Sequence, residues 1–156
     1  MPCDADDLIS NTLVQFVREN PHPVGYVIRR GYALDLDSGN CTPCPSESIN
    51  VEGFDTFCGT SSILTLSEEH RALSGWPLDF LTFGHNKIRL ALIDAGRPLL
   101  DIQHPSAIYV LNSGENVSLH ESNNQARQTF VKYVIAQIKK AGRPLSPSLL
   151  KEFGLT

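Results

Sequence analysis

Residues 32–39 read Tyr-Ala-Leu-Asp-Leu-Asp-Ser-Gly, in which apolar side chains take every second position before an Asp-x-Gly turn. A period of two is typical of a β-strand with one buried face. Asp37 can bond to its own backbone to open a tight turn, and Gly39 can adopt the left-handed conformation that closes it. The segment therefore predicts an antiparallel hairpin, with Asp35 and Asp37 at exposed positions.

Two further tripeptides of this kind, Asp94-Ala95-Gly96 and Asn112-Ser113-Gly114, also lie between apolar runs. The first interrupts the segment 88–102, and the second interrupts the segment 107–119. Because both have the same turn chemistry as residues 37–39, they predict two more hairpins. We expect an antiparallel β-sheet of about five to seven strands, including two strands or one bent strand over residues 24–37.

Helices are predicted near both ends of the chain. The amino-terminal helix spans about Asp4–Glu19, with Asp6 and Asp7 near its positive end and an apolar face formed by Ile9, Leu13, Phe16 and Val17. The long carboxyl-terminal helix begins at the capping-box pattern of Ser122 and ends at Gly142. Its predicted inner face is formed by Ala126, Phe130, Tyr133, Val134 and Ile138. Together these features predict a single α+β domain over residues 1–156, in which the two helices pack on the sheet.

The composition limits the class of protein. The chain has 156 residues, of which 41% are hydrophobic and 19% charged, and this balance is typical of a globular domain. The net charge of -4 argues against a nucleic-acid-binding surface, because such surfaces concentrate lysine and arginine. No apolar run is long enough to span a membrane, and the amino terminus is acidic where a secretory signal is basic. We therefore expect a cytoplasmic protein that binds neither membranes nor nucleic acids.

A cysteine-rich segment follows the first hairpin. Residues 40–62 are rich in turn-forming residues and predict an irregular region whose buried side chains are Ile49, Val51, Phe54 and Phe57. Cys41 and Cys44 have the spacing of a zinc half-site, and Cys58 can provide a third thiolate ligand. Cys3, His22 or His70 can complete the set. A small zinc-stabilised domain is one interpretation, and the other is that these are ordinary thiols or form a local disulfide after exposure to an oxidant.

Cys58 also fits a second pattern. In cysteine hydrolases, a cysteine nucleophile is followed some tens of residues later by a histidine that enters a strand, and then by a polar residue that orients the histidine. His104 precedes the apolar run 107–111, and Asn112 or His120 follows it. The sequence therefore predicts Cys58 as a candidate nucleophile, His104 as its base and Asn112 as the orienting residue.

Two classes of function remain open at this stage. The first is a non-enzymatic protein-interaction module, such as an adaptor, a small chaperone, an inhibitor or an immunity-type protein. Such a module binds a protein partner or a second copy of itself through its sheet or a helix surface. The second is a cysteine hydrolase that uses Cys58 and His104. No cofactor is expected in either case, and zinc is expected only if the chain is the small zinc-stabilised domain described above.

Overall fold

The computed structural model describes residues 4–66, 85–114 and 124–156. The described strands are β1 (Leu8–Ile9), β2 (Gly25–Ile28), β3 (Gly31–Asp35), β4 (Asn40–Cys44), β5 (Ser62–Leu64), β6 (Leu100–Ile102), β7 (Ala107–Leu111) and β8 (Arg143–Pro144). The described helices are α1 (Leu13–Glu19), α2 (Phe54–Phe57), α3 (His85–Asp94), α4 (Gln125–Ala141) and α5 (Pro147–Glu152), with a 3₁₀-helix at Glu47–Ile49. None of the described helices is long and apolar enough to cross a membrane.

The strands form two mixed sheets. The larger sheet has the order β1-β7-β3-β4-β8, and the smaller has the order β5-β2-β6. Strands β3 and β7 are parallel in the first, and strands β2 and β6 are parallel in the second. The α+β class and the long carboxyl-terminal helix are therefore confirmed. The prediction of one purely antiparallel sheet of about five to seven strands is wrong, because the eight described strands form two mixed sheets.

The hairpin predicted from residues 32–39 is present as β3 and β4, which are antiparallel and pair Asp35 with Asn40. Gly39 closes its turn in the left-handed conformation, with a φ of 68°. The carboxylate that holds the turn is Asp35, which accepts hydrogen bonds from the backbone N–H and the hydroxyl of Ser38. Asp35 is fully buried, so its predicted exposure is wrong, whereas Asp37 is exposed as expected.

The tripeptide Asp94-Ala95-Gly96 ends a helix and does not turn a hairpin. Ile88 and Leu92 are four residues apart and lie on the buried side of α3. The N–H of Gly96 bonds to the carbonyl of Ile93, and that of Arg97 bonds to the carbonyl of Leu92, which is the Schellman pattern. Both this pattern and a hairpin turn need a left-handed glycine, and this shared need explains the wrong prediction.

The third tripeptide follows β7, where Asn112 and Gly114 both have positive φ angles. The return strand predicted at residues 117–119 lies outside the described residues. β7 is an interior strand, because it is antiparallel to β1 on one side and parallel to β3 on the other. All five of its residues are buried.

The amino-terminal helix is shorter than predicted. Residues 8–9 pair with β7 as β1, and α1 begins only at Leu13. Leu13 is buried, and Phe16 and Val17 pack against the same core. Asp7 therefore precedes a strand and does not occupy the first turn of a helix.

Residues 40–62 are more regular than predicted, since they contain β4, the 3₁₀-helix and α2. Their four predicted core side chains, Ile49, Val51, Phe54 and Phe57, are buried as expected. The main core also receives α4, whose inner face is formed by Val131, Val134, Ile135 and Ile138. Asn124 caps α4, and Ser122 lies outside the described residues. Ala126 and Tyr133, which the sequence assigned to the inner face, are exposed.

Candidate functional site

Cys58, the candidate nucleophile, directly follows α2 and is completely buried. Its backbone N–H bonds to the carbonyl of Phe54 and ends the helix. Its thiol donates a hydrogen bond to Oδ2 of Asp7, at a distance of 3.2 Å. The position is therefore fixed by both backbone and side chain, on a short helix packed into the core.

The carboxylate of Asp7 accepts several hydrogen bonds besides that of the Cys58 thiol. Its Oδ1 accepts the backbone N–H of Val110 at 3.2 Å, and its carboxylate also bonds to the side chain of Thr60. Thr60 in turn accepts the backbone N–H of Asp4. We call Asp7, Cys58, Thr60 and Val110 the Asp7 anchor, because they tie the amino-terminal segment to β7 and to the end of α2.

The Asp7 anchor favours the protonated forms of its two ionisable side chains. Burial raises the pKa of the Asp7 carboxyl, although its hydrogen bonds partly oppose this shift. Burial also raises the pKa of the Cys58 thiol well above its ordinary value, and the adjacent Asp7 carboxylate adds to the effect. A cysteine nucleophile needs the opposite environment, one that stabilises the thiolate. In this arrangement Cys58 acts as a buried hydrogen-bond donor.

His104 lies between β6 and β7, where its ring contacts the ring of Phe16 edge to face at a centroid distance of 5.3 Å. Its backbone carbonyl accepts the hydroxyl of Ser106. Within the described residues, no hydrogen bond joins Cys58 to His104. The predicted pair is thus not joined by a hydrogen bond in the described part of the chain, and its catalytic role stays a prediction.

Asn112, the predicted orienting residue, belongs to a different cluster. Its side-chain amide donates to Oδ1 of Asp35, and the two residues lie at the carboxyl ends of the parallel strands β7 and β3. Lys139 of α4 approaches Asp35 at 3.8 Å and Asp37 at 3.2 Å. We call Asp35, Ser38, Asn112 and Lys139 the Asp35 anchor. It joins two turns and a helix, and it satisfies both oxygens of the Asp35 carboxylate.

The three candidate zinc ligands are divided between two sides of a sheet. Cys41 and Cys44 lie on β4 and are three residues apart, so their side chains point to opposite faces. Cys44 packs in the main core together with Cys58, whereas Cys41 packs with Leu34 and Phe153 in a second cluster. Burial raises the pKa of Cys44 to about 12, which opposes thiolate formation.

Over the described ranges, no group of three histidine, cysteine or acidic side chains is placed to hold a metal ion. Cys3 and His70, two of the residues proposed to complete the site, lie outside those ranges. Zinc binding therefore stays a prediction.

The sequence predicts a strand before the Asp94-Ala95-Gly96 turn, and a strand at residues 88–92 does not present the helix surface that the structure has there. Ile88 and Leu92 are buried in a small cluster with Val27 and Leu99. On the same helix, Leu90 is 56% exposed and Ile93 is 42% exposed. A helical wheel over Ile88 and Leu92 would have revealed this second apolar side.

Comparison of the chain with protein-family models, with curated proteins and with solved structures gives no match.

Proposed function

We propose that the protein is a non-enzymatic protein-interaction module that binds a protein partner through the outer face of α3. The observation that carries this proposal is that α3 is apolar on two opposite sides. One side, with Ile88 and Leu92, is buried in a cluster with Val27 of β2 and Leu99. The other side presents Leu90 and Ile93, which are three residues apart and therefore adjacent on the helix surface.

A helix that covers a core normally places polar residues on its outer face, so a second apolar side favours a second contact. Fully burying a leucine or isoleucine side chain gains roughly 1.5–3 kcal/mol, and about half of each side chain is still available here. The pair thus provides the apolar centre of a small interface, around which polar residues form the rim.

Two cations stand beside this apolar pair. Lys87 is exposed and Arg89 is half-buried, and neither makes an ion pair within the described residues. Asp94 supplies an acidic group near the end of the same helix. The partner surface expected from this pattern has an apolar centre and at least one acidic group. A second copy of this chain meets both conditions, since an antiparallel pair of α3 helices places Leu90 opposite Ile93 and Arg89 opposite Asp94.

Site-specific photocrosslinking tests the proposal in cells that express the protein naturally. A photoreactive benzoylphenylalanine is placed at position 90 or 93, and the control carries it at Val14, which is 58% exposed on α1. We expect a discrete adduct from positions 90 and 93 and none from position 14. An adduct of twice the chain's mass identifies a second copy as the partner, and any other mass identifies a different protein. The proposal fails if positions 90 and 93 give no more adduct than position 14.

Thiol labelling of the native protein tests the alternative hydrolase. Because Cys58 is buried and its pKa is raised, we expect it to react no faster than Cys41 or Cys44 with a thiol probe at mildly acidic pH. Labelling of Cys58 well ahead of these two thiols would favour the hydrolase over the interaction module.

A further inference from the structure

A pocket of about 240 Å³ lies between α2, β7 and the beginning of α4. The lining is mainly apolar and includes one charged side chain. It consists of Thr56, Phe57, Tyr109, Arg127, Phe130 and Val131. Concave sites that combine apolar walls with a single well-placed polar group are the usual form of small-molecule sites. Pockets that bind drug-sized ligands have volumes of roughly 300–1,000 Å³, so this smaller pocket suits a smaller molecule with a single ring.

The inner part of the pocket is a fixed aromatic cluster. Phe57 meets Tyr109 edge to face at a centroid distance of 4.9 Å, and meets Phe130 in the same way at 6.0 Å. Phe57, Tyr109 and Val131 are buried in the core, so the surrounding packing holds them in place. An entering aromatic ring can add a further edge-to-face or offset contact to this cluster without a rearrangement of the core.

Arg127 provides the charged group at the pocket. It is exposed, and only its backbone N–H makes a hydrogen bond, to the cap residue Asn124, within the described part of the chain. The first turn of α4 contains no acidic residue. A cation near the positive end of a 17-residue helix is unfavourable for the helix itself. The guanidinium and the helix end together therefore favour an anion at the pocket.

We propose that this pocket binds a small aromatic carboxylate, with its ring against Phe57 and Phe130 and its carboxylate on the guanidinium of Arg127. The planar guanidinium can form two parallel hydrogen bonds with a carboxylate, which fixes the orientation of the ligand. No residue of α3 takes part, so this inference is independent of the proposed protein-binding surface.

Phenylacetate is the probe for this site, and phenylacetamide is its neutral counterpart with the same shape. Binding is measured from the amide chemical shifts of the isotope-labelled full-length protein. A ligand with about ten non-hydrogen atoms is expected to bind with a dissociation constant on the order of 1 mM. We expect saturable shifts at residues 56–57 and 127–131 with phenylacetate, and binding weaker by at least about tenfold with phenylacetamide.

Two matched variants sharpen the test. Arg127→Gln removes the guanidinium from an exposed position and should weaken phenylacetate binding by at least about tenfold. Lys132→Gln removes a cation from an exposed position on the same helix and should leave the affinity within about twofold. The spectrum of each free variant shows whether it is folded. The proposal is overturned if phenylacetate gives no saturable shifts at about 20 mM, if the amide binds equally well, or if the two variants behave alike.

Discussion

The Asp7 anchor and the Asp35 anchor both use a buried aspartate to hold a segment against β7, but they differ in how close their donors are to water. Asp7 receives the N–H of Val110 and the thiol of Cys58, and both donors are buried. Asp35 receives donors from Ser38, which is exposed, and from Asn112, which is half-buried. A donor near the surface can bond to water when its acceptor is lost, whereas a buried donor cannot. Loss of Asp7 should therefore lower the free energy of unfolding more than loss of Asp35 does.

The largest effect is expected for Asp7→Ala. The substitution leaves the Val110 N–H, the Cys58 thiol and the Thr60 hydroxyl without their common acceptor. Each buried donor left unsatisfied costs about 1–3 kcal/mol, and the loss of the desolvated carboxylate offsets part of the total. We expect the free energy of unfolding to fall by about 3 kcal/mol, measured by urea denaturation at neutral pH. A loss no greater than that of the exposed control Asp37→Ala would contradict the assignment of Asp7 as an anchor.

A smaller loss is expected for Asp35→Ala. Its donors on Ser38 and Asn112 lie close enough to solvent to bond to water, so the cost should be about 2 kcal/mol in the same assay. The difference between the two anchors would be refuted if Asp35→Ala destabilised the protein more than Asp7→Ala.

The pH dependence of Asp7 provides a third test. The pKa of Asp7 in the folded protein is raised above its ordinary value of 3.8, chiefly by burial. The folded state thus holds this proton more tightly than the unfolded chain does. The stabilising contribution of the proton is complete below the unfolded pKa and is lost as the pH rises through the folded pKa.

Asp7→Asn isolates this effect, because asparagine keeps an acceptor for Val110 but does not titrate. The free energy of unfolding of the wild type, relative to Asp7→Asn, should fall as the pH rises from about 4 toward 7. Urea midpoints of both proteins across this range measure the difference. A difference that stays constant or increases with pH would show that burial does not raise the pKa of Asp7.

Two parts of the fold could be predicted from local sequence patterns. The hairpin at residues 32–39 could be predicted, because its alternation and its turn agree. The long helix could be predicted as well, although its buried face is rotated from the predicted one, and Val131 and Ile135 replace Ala126 and Tyr133. Local patterns of this kind depend on neighbours within a few residues.

No pattern of neighbouring residues in the sequence predicts the Asp7 anchor. Its partners Cys58 and Val110 are 51 and 103 residues from Asp7 in the chain, so their contact depends on the fold as a whole. The sequence predicts that Cys58 and His104 act together because their order fits a known catalytic pattern. The order of two residues along the chain does not determine the distance between their side chains in the fold. Cys41 and Cys44 were interpreted through their spacing alone. Recognition of residues 40–44 as a strand would have placed the two thiols on opposite faces.

The smallest effect is expected from the exposed side of the Asp35 anchor. Lys139 contacts both Asp35 and Asp37, but about 44% of the lysine side chain and 63% of the Asp37 side chain are exposed. Exposed ion pairs contribute little, because water and salt screen the charges and the long side chain loses rotamer freedom. A double-mutant cycle of Lys139→Met and Asp37→Ala should give a coupling energy of about 0.5 kcal/mol or less, falling further near 1 M salt. A coupling energy above about 1 kcal/mol that persists in salt would mean that the Lys139–Asp37 pair stabilises the protein far more than an exposed ion pair does.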